Sequence, residues 1–128
     1  MIAVDTSSFV GFLAGEDSAD VDLITQAIEG ELLILPPVVI SELFSARNLS
    51  DDIKNIIKAL PQLDIKDGFW VRVGEARAKI LATGKKARLA DTMIAVFCLD
   101  HDIPLIARDK DYRHFVAPFG LRLLPAPV

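Results

Sequence analysis

Four short apolar runs, at residues 2–4, 32–35, 104–107 and 121–124, set the limits on what this chain can become. Each is rich in Ile, Leu or Val and bounded by charge, Gly or Pro, which marks a strand buried on both faces. Helical patterns separate them. Residues 20–28 place Val21, Ile24 and Ile28 at helical spacing, and Gly30 follows as a stop. Residues 38–47 carry Val39, Leu43 and Ala46 on one stripe, after Pro36 and Pro37, which suit a helix entrance. Residues 51–60 follow a Ser50 cap and halt before Pro61. Residues 68–83 present Phe69, Val73, Ala76 and Ile80, with Gly84 as a natural C-terminal stop. Residues 90–100 form the strongest helix, with Ile94, Phe97 and Cys98 on one side. Strands alternating with helices predict an α/β chain with a parallel sheet covered on both faces.

Composition narrows the class further. With 128 residues, no internal repeat and no Pro-, Gly- or Ser-rich linker, the chain reads as one domain spanning 1–128. At 52% hydrophobic and 25% charged it is neither disordered nor of low complexity. The lone Cys98 excludes an internal disulfide and reads as a small buried core residue, which suits a reducing cytoplasm. The first residues lack the basic segment and long apolar run of a signal peptide. The longest uncharged runs, 6–15 and 32–41, are half the roughly 20 residues needed to span a bilayer, so a soluble protein is expected. The net charge of −4 argues against coating nucleic acid by bulk positive charge. It leaves open an acidic site neutralised locally by cations.

Ligands of open α/β sheets gather at the carboxyl ends of the strands. The polar residues expected there are mostly acidic. Asp5 ends the first strand, and Asp109 follows the third by two residues. Glu42 lies on the helix that leaves the second strand, and Asp91 stands at the tip of the strongest helix. Each has an ordinary reading alone: Asp5 as a helix cap, Asp91 as a first-turn acid favoured by the helix dipole, Glu42 as a solvated helix residue, Asp109 as a turn residue. Together they describe a carboxylate cluster, which repels itself unless protonated or neutralised. Hard cations such as Mg²⁺ or Mn²⁺ prefer such oxygen donors. Zinc is not indicated, since His101, His114 and Cys98 are the only nitrogen and sulfur candidates and read as structural or surface residues.

The ordered motifs resemble a known family, the PIN domains. Ile2-Ala3-Val4-Asp5-Thr6-Ser7 resembles their opening strand and first acid, and Ser41-Glu42-Leu43 their second acidic motif. Ala90-Asp91-Thr92-Met93-Ile94-Ala95 is similar to their Asp-x-x-Ile-Ala segment. The run Ile103-Pro104-Leu105-Ile106-Ala107-Arg108-Asp109-Lys110-Asp111-Tyr112 is similar to their closing segment. The order and spacing extend over nearly the whole chain, whose size is that of single-domain VapC-type toxins. Two departures stand out. Ala107 replaces the usual Thr or Ser, so a hydroxyl near Asp109 is missing, and Ser45 stands where Gly is frequent.

The resemblance implies a PIN-like three-layer α/β/α sandwich around a central, mostly parallel sheet of four to five short strands. It implies a metal-dependent endoribonuclease, the toxin of a toxin–antitoxin pair, held in check by a small cognate antitoxin and often a homodimer. By analogy Asp5, Glu42 and Asp91 hold Mg²⁺ or Mn²⁺, with Asp109 completing the set, Thr6 and Ser7 supporting Asp5, and Asp111 as a substitute for Asp109. The chemistry is hydrolysis of an RNA phosphodiester by water activated at the ion. Lys85, Lys86 and Arg88, and Arg108, Lys110 and Arg113, are expected to flank the acids and contact phosphates; ordinary surface charge is the alternative. Phe9, Phe12 and Leu13 offer an antitoxin strip or core packing, and Trp70 a core or dimer contact. A non-catalytic PIN-like module that binds metal or a partner is the competing reading. A phosphoacceptor receiver fits poorly, because Asp5 is followed by Thr6 and Ser7 rather than a paired acid. Dinucleotide binding fails for want of a Gly-rich turn after the first strand.

Overall fold

A computed structural model describes residues 1–127. Four strands form the sheet: β1 (Ile2–Val4), β2 (Leu33–Ile34), β3 (Leu105–Ile106) and β4 (Leu123–Leu124). Seven α-helices run α1 (Thr6–Leu13), α2 (Ala19–Glu29), α3 (Pro37–Phe44), α4 (Asp51–Ala59), α5 (Phe69–Leu81), α6 (Leu89–His101) and α7 (Val116–Phe119). A 3-10 helix, Lys110–Phe115, precedes the last.

The strand order is β2-β1-β3-β4, and every neighbouring pair is parallel. Ala3 pairs with Ile34 on one side and Leu105 on the other. All carboxyl ends therefore meet one edge. Consecutive strand residues face opposite sides of a sheet, and Ala3 and Val4 are both fully buried. Both faces are thus covered, giving the three-layer α/β/α sandwich. Beyond β2, Leu35 leaves the ladder and bridges in parallel to Gln62, with Leu35 N donating to the Pro61 carbonyl at 2.8 Å. The expected four to five strands are four plus this single bridge.

Helix periodicity located the core stripes well. On α5 the buried residues are Phe69, Val73, Ala76 and Ile80. Phe69 stacks on Phe97 of α6 at 4.3 Å between ring centres, joining the two helices of one layer. Burying aromatic area of this kind is among the larger contributions a single contact makes. Cys98 is buried as expected.

The departures have local causes. The helix expected over 38–47 stops at Phe44, where the Ser45 hydroxyl turns back to the Ser41 carbonyl at 2.7 Å; Ala46 is left exposed. The helix α1 was not expected from periodicity. Its sequence, Thr6-Ser7-Ser8-Phe9-Val10-Gly11-Phe12-Leu13, is rich in poor helix formers, and a cap at Asp5 with burial of Ser8, Phe9 and Gly11 supplies what propensity does not. Among the described residues no helix is long and apolar enough to cross a membrane.

Candidate active site

β1 ends at Val4 and hands the chain to Asp5, whose N–H still donates to the Ile106 carbonyl of β3 at 3.0 Å. The side chain is only 2% exposed. It caps α1: Oδ1 accepts from Ser8 N and Oδ2 from Ser7 Oγ, both at 2.9 Å. Glu42 sits on the exposed side of α3, where Thr6 Oγ1 donates to Oε1 at 2.5 Å and ties α3 to the start of α1. Asp91 lies in the first turn of α6 and accepts from the buried Tyr112 hydroxyl at 3.2 Å. Asp109 follows β3, caps the 3-10 helix and accepts from Asp111 N at 2.9 Å. The four carboxylates line one open pocket of about 220 Å³, whose wall Thr6, Ser7, Arg88 and Tyr112 complete.

The pocket is electrically loaded. Burial pushes the Asp5 carboxyl above its ordinary value, the charge of Asp91 adds to that push, and the bonds from Ser8 and Ser7 oppose it. Asp91 is also raised, first by burial and then by Asp109 and Glu42, against the pull of Tyr112 and Arg88. Burial, then the charges of Asp5, Asp91 and Glu42, drive the Tyr112 phenol far upward, so it stays protonated and is a donor to Asp91. Such a site is relieved by a proton or a cation.

An all-oxygen set of this kind fits a hard divalent cation in its chemistry. It is not a closed cage. Among the described residues no three acidic, histidine or cysteine side chains form a ready-made ion-binding group. Each carboxylate is instead held by its own donor. Side-chain rotation would have to close the set, which is easy for exposed Glu42 and hard for enclosed Asp5.

The PIN-domain family model matches residues 2–117, a span that takes in all four acids. The chain belongs to the PIN-domain family. In fold, this PIN domain is similar to a chain of VapBC2 from Rickettsia felis, whose structure is bound to a promoter DNA fragment; identity is 17%, TM-score 0.73, and coverage 96% of this chain and 97% of the other. A chain of VapBC-1 from nontypeable Haemophilus influenzae gives 17% identity, TM-score 0.73 and 96% coverage of both. VapBC-5 of Mycobacterium tuberculosis, a member of the VapBC family of toxin–antitoxin systems, gives 17%, 0.66 and 94% of both. At such identity the likeness speaks for the fold alone. No curated protein matches the chain significantly.

The expected basic flank is redistributed. Of the six cations only Arg88 lines the acidic pocket of this PIN domain. Arg108 does not line that pocket, and its guanidinium is paired, with Nε at 2.8 Å from Asp20 Oδ2 and Nη1 at 2.7 Å from Glu16 Oε2. Arg108, Lys110 and Arg113 border a second depression of about 300 Å³ that shares Asp109. Lys85 stands over a different hollow near His114, and the Lys86 carbonyl accepts from His114 Nδ1 at 2.9 Å. His101 Nε2 likewise donates to the Asp64 carbonyl at 2.8 Å.

Other expectations also shift. Asp111 does not line the pocket, and it is its amide that holds Asp109. Phe9 is wholly in the core, leaving only partly buried Phe12 and Leu13 of the proposed strip. Trp70 is 60% exposed, edge-on to Phe69, so it is not a core residue. Ser8 and Tyr112 were not foreseen as parts of the site. The one available signal for Tyr112 was its place three residues after Asp109.

Proposed function

We propose that this PIN domain is a Mg²⁺- or Mn²⁺-dependent endoribonuclease, the toxin component of a toxin–antitoxin pair, hydrolysing RNA phosphodiester bonds at Asp5, Glu42, Asp91 and Asp109. One observation carries this reading: four carboxylates from four separate segments line a single pocket at the carboxyl edge of a parallel sheet. When bound, a divalent ion supplies activation of water and neutralisation of charge on the phosphate. The protein's part is to hold the oxygens. Asp5 is fixed by Ser7 and Ser8, and Asp91 by Tyr112. Glu42 swings from Thr6 to complete the set. Arg88, at the pocket wall, pairs with a phosphate oxygen and orients the scissile group. Water adds to phosphorus, one ester P–O bond breaks, and the departing oxygen takes up a proton.

The toxin assignment draws on the fold shared with chains of three VapBC structures. A small cognate antitoxin would dock over Phe12 and Leu13 near the acids. A homodimer would use apolar surface such as Trp70 and Val71 of α5, both exposed. A cytoplasmic setting agrees with a single, buried Cys98 that has no second cysteine in this sequence to pair with.

The second reading is a non-catalytic module binding metal or a partner through the same acids, and what favours it is that each carboxylate already accepts from a protein donor. One assay separates them. Purified protein is incubated with a pool of structured and single-stranded RNAs, with and without Mg²⁺ or Mn²⁺, beside Asp5→Asn. Metal-dependent cleavage that falls to background in Asp5→Asn is expected. Full activity of the variant refutes the site, and no cleavage by the wild type leaves the binding module.

A further inference from the structure

Arg108 connects the acidic pocket to the far side of the sheet edge. It is the residue between Ala107, at the end of β3, and Asp109. Its guanidinium crosses α1 to reach Asp20 on α2 through Nε at 2.8 Å and Glu16 through Nη1 at 2.7 Å. The two halves of this clamp are unequal. Glu16 is half exposed, so its pair is screened and weak. Asp20 is 5% exposed, and its other oxygen accepts from Ser18 Oγ at 2.6 Å. A charge-assisted bond to an enclosed carboxylate is the strong half.

The path is built for it. Gly11, buried on α1, lies directly under the ion pair: a Cβ there would stand 2.2 Å from Arg108 Nη2, 2.7 Å from Glu16 Oε2 and 2.9 Å from Arg108 Cζ. With glycine here the guanidinium lies against the helix, whereas a larger residue would make these side-chain ends shift. In extended backbone, successive side chains point to opposite sides. Asp109 has φ −70 and ψ 125 and borders both the acidic pocket and the depression lined by Arg108 and Asp20, so anchoring Arg108 on α2 limits which way the Asp109 side chain turns. Ala107 offers no hydroxyl to fasten this segment.

We propose that Arg108 is a positioning residue for Asp109, anchored across Gly11 on Asp20 so that the segment after β3 presents its carboxylate to the pocket. This rests on the nuclease reading for its effect on cleavage but not for its effect on the segment. It also replaces the expectation that Arg108 contacts RNA.

The test uses the full chain as wild type, Arg108→Ala, Arg108→Lys and Gly11→Ala. Alanine is the better helix former, so Gly11→Ala crowds the guanidinium and the Glu16 carboxylate without weakening α1 or removing a charge. Hydrogen exchange of the Asp111 amide, which binds Asp109 Oδ1, is read by NMR without metal. Mn²⁺ affinity is read by calorimetry and RNA cleavage by kinetics. Both alanine variants should speed the Asp111 exchange, weaken Mn²⁺ about 10–100-fold and lower kcat with KM little changed, with Arg108→Lys in between. Unchanged Asp111 exchange in both alanine variants overturns the proposal. So does a raised KM and flatter salt dependence in Arg108→Ala alone, which is the mark of a phosphate contact. If the wild type fails to cut RNA while exchange responds in both variants, the nuclease reading falls and the clamp stands.

Discussion

Asp5 serves two structures with one carboxylate. It caps α1 through Ser8 N and it faces the acidic pocket, so the ordinary and the chemical readings of its sequence position coexist. Its enclosure has a thermodynamic consequence. The folded-state pKa lies above the ordinary value, chiefly through burial, so the folded chain holds the proton more tightly than the unfolded one. The stability tied to this group is present in acid and is lost as pH rises through the folded value. At neutral pH the ionised Asp5 therefore works against folding. Asn keeps the capping oxygen and removes the charge. In EDTA at pH 7, Asp5→Asn should melt above wild type, with the gap closing as pH falls below about 4; melts across pH 3–8 check this. A lower Tm at pH 7 would contradict it. The four acids could be found in the sequence because their positions relative to strand ends set where they go. The pairing of Arg108 is not legible there, because charge pattern does not say where a guanidinium points. Gly11, Glu16 and Asp20 decide that, and they lie 88 to 97 positions away in the chain.

At the scale of elements, legibility followed the balance between local and tertiary forces. The stripe of the 13-residue α5 is plain in the sequence, whereas α6, of equal length, is buried all round from Ile94 to Cys98 and not only on the side of Ile94, Phe97 and Cys98. The eight-residue α1 and the 3-10 helix are too short and too poor in helix formers to show a period, and they form because the sheet edge holds them. Helix α4 is the opposite case. It buries only Ile57, so its own cap carries weight: Ser50 Oγ accepts from Ile53 N at 3.2 Å, with Asp51 and Asp52 in the first turn favouring the dipole. Ser50→Ala should cost about 1 kcal/mol in urea denaturation and speed amide exchange first within α4. A loss no larger than that at an uncapped surface serine would mean that packing alone sustains this helix.

At the scale of the whole molecule, a parallel sheet with order β2-β1-β3-β4 gathers what its strands carry to one edge. The strand order changes direction between β1 and β3, and Asp5 and Asp109 leave the sheet on either side of that point. Helix α6 adds Asp91 and α3 adds Glu42 from above. This gathering follows from alternation of strands and helices, which is why it could be read from sequence. How closely the oxygens approach could not, since that depends on Ser7, Ser8, Thr6 and Tyr112, each holding one acid apart from the others. The central claim is that these acids act as one cation site, and paramagnetic broadening by substoichiometric Mn²⁺ in ¹H–¹⁵N spectra tests it most directly. Amides of residues 5–8, 42, 91 and 109–112 should broaden first, with that focus lost in Asp91→Asn. Broadening centred instead on the exposed acids Asp17, Asp51 and Asp52, and unchanged in Asp91→Asn, would contradict it.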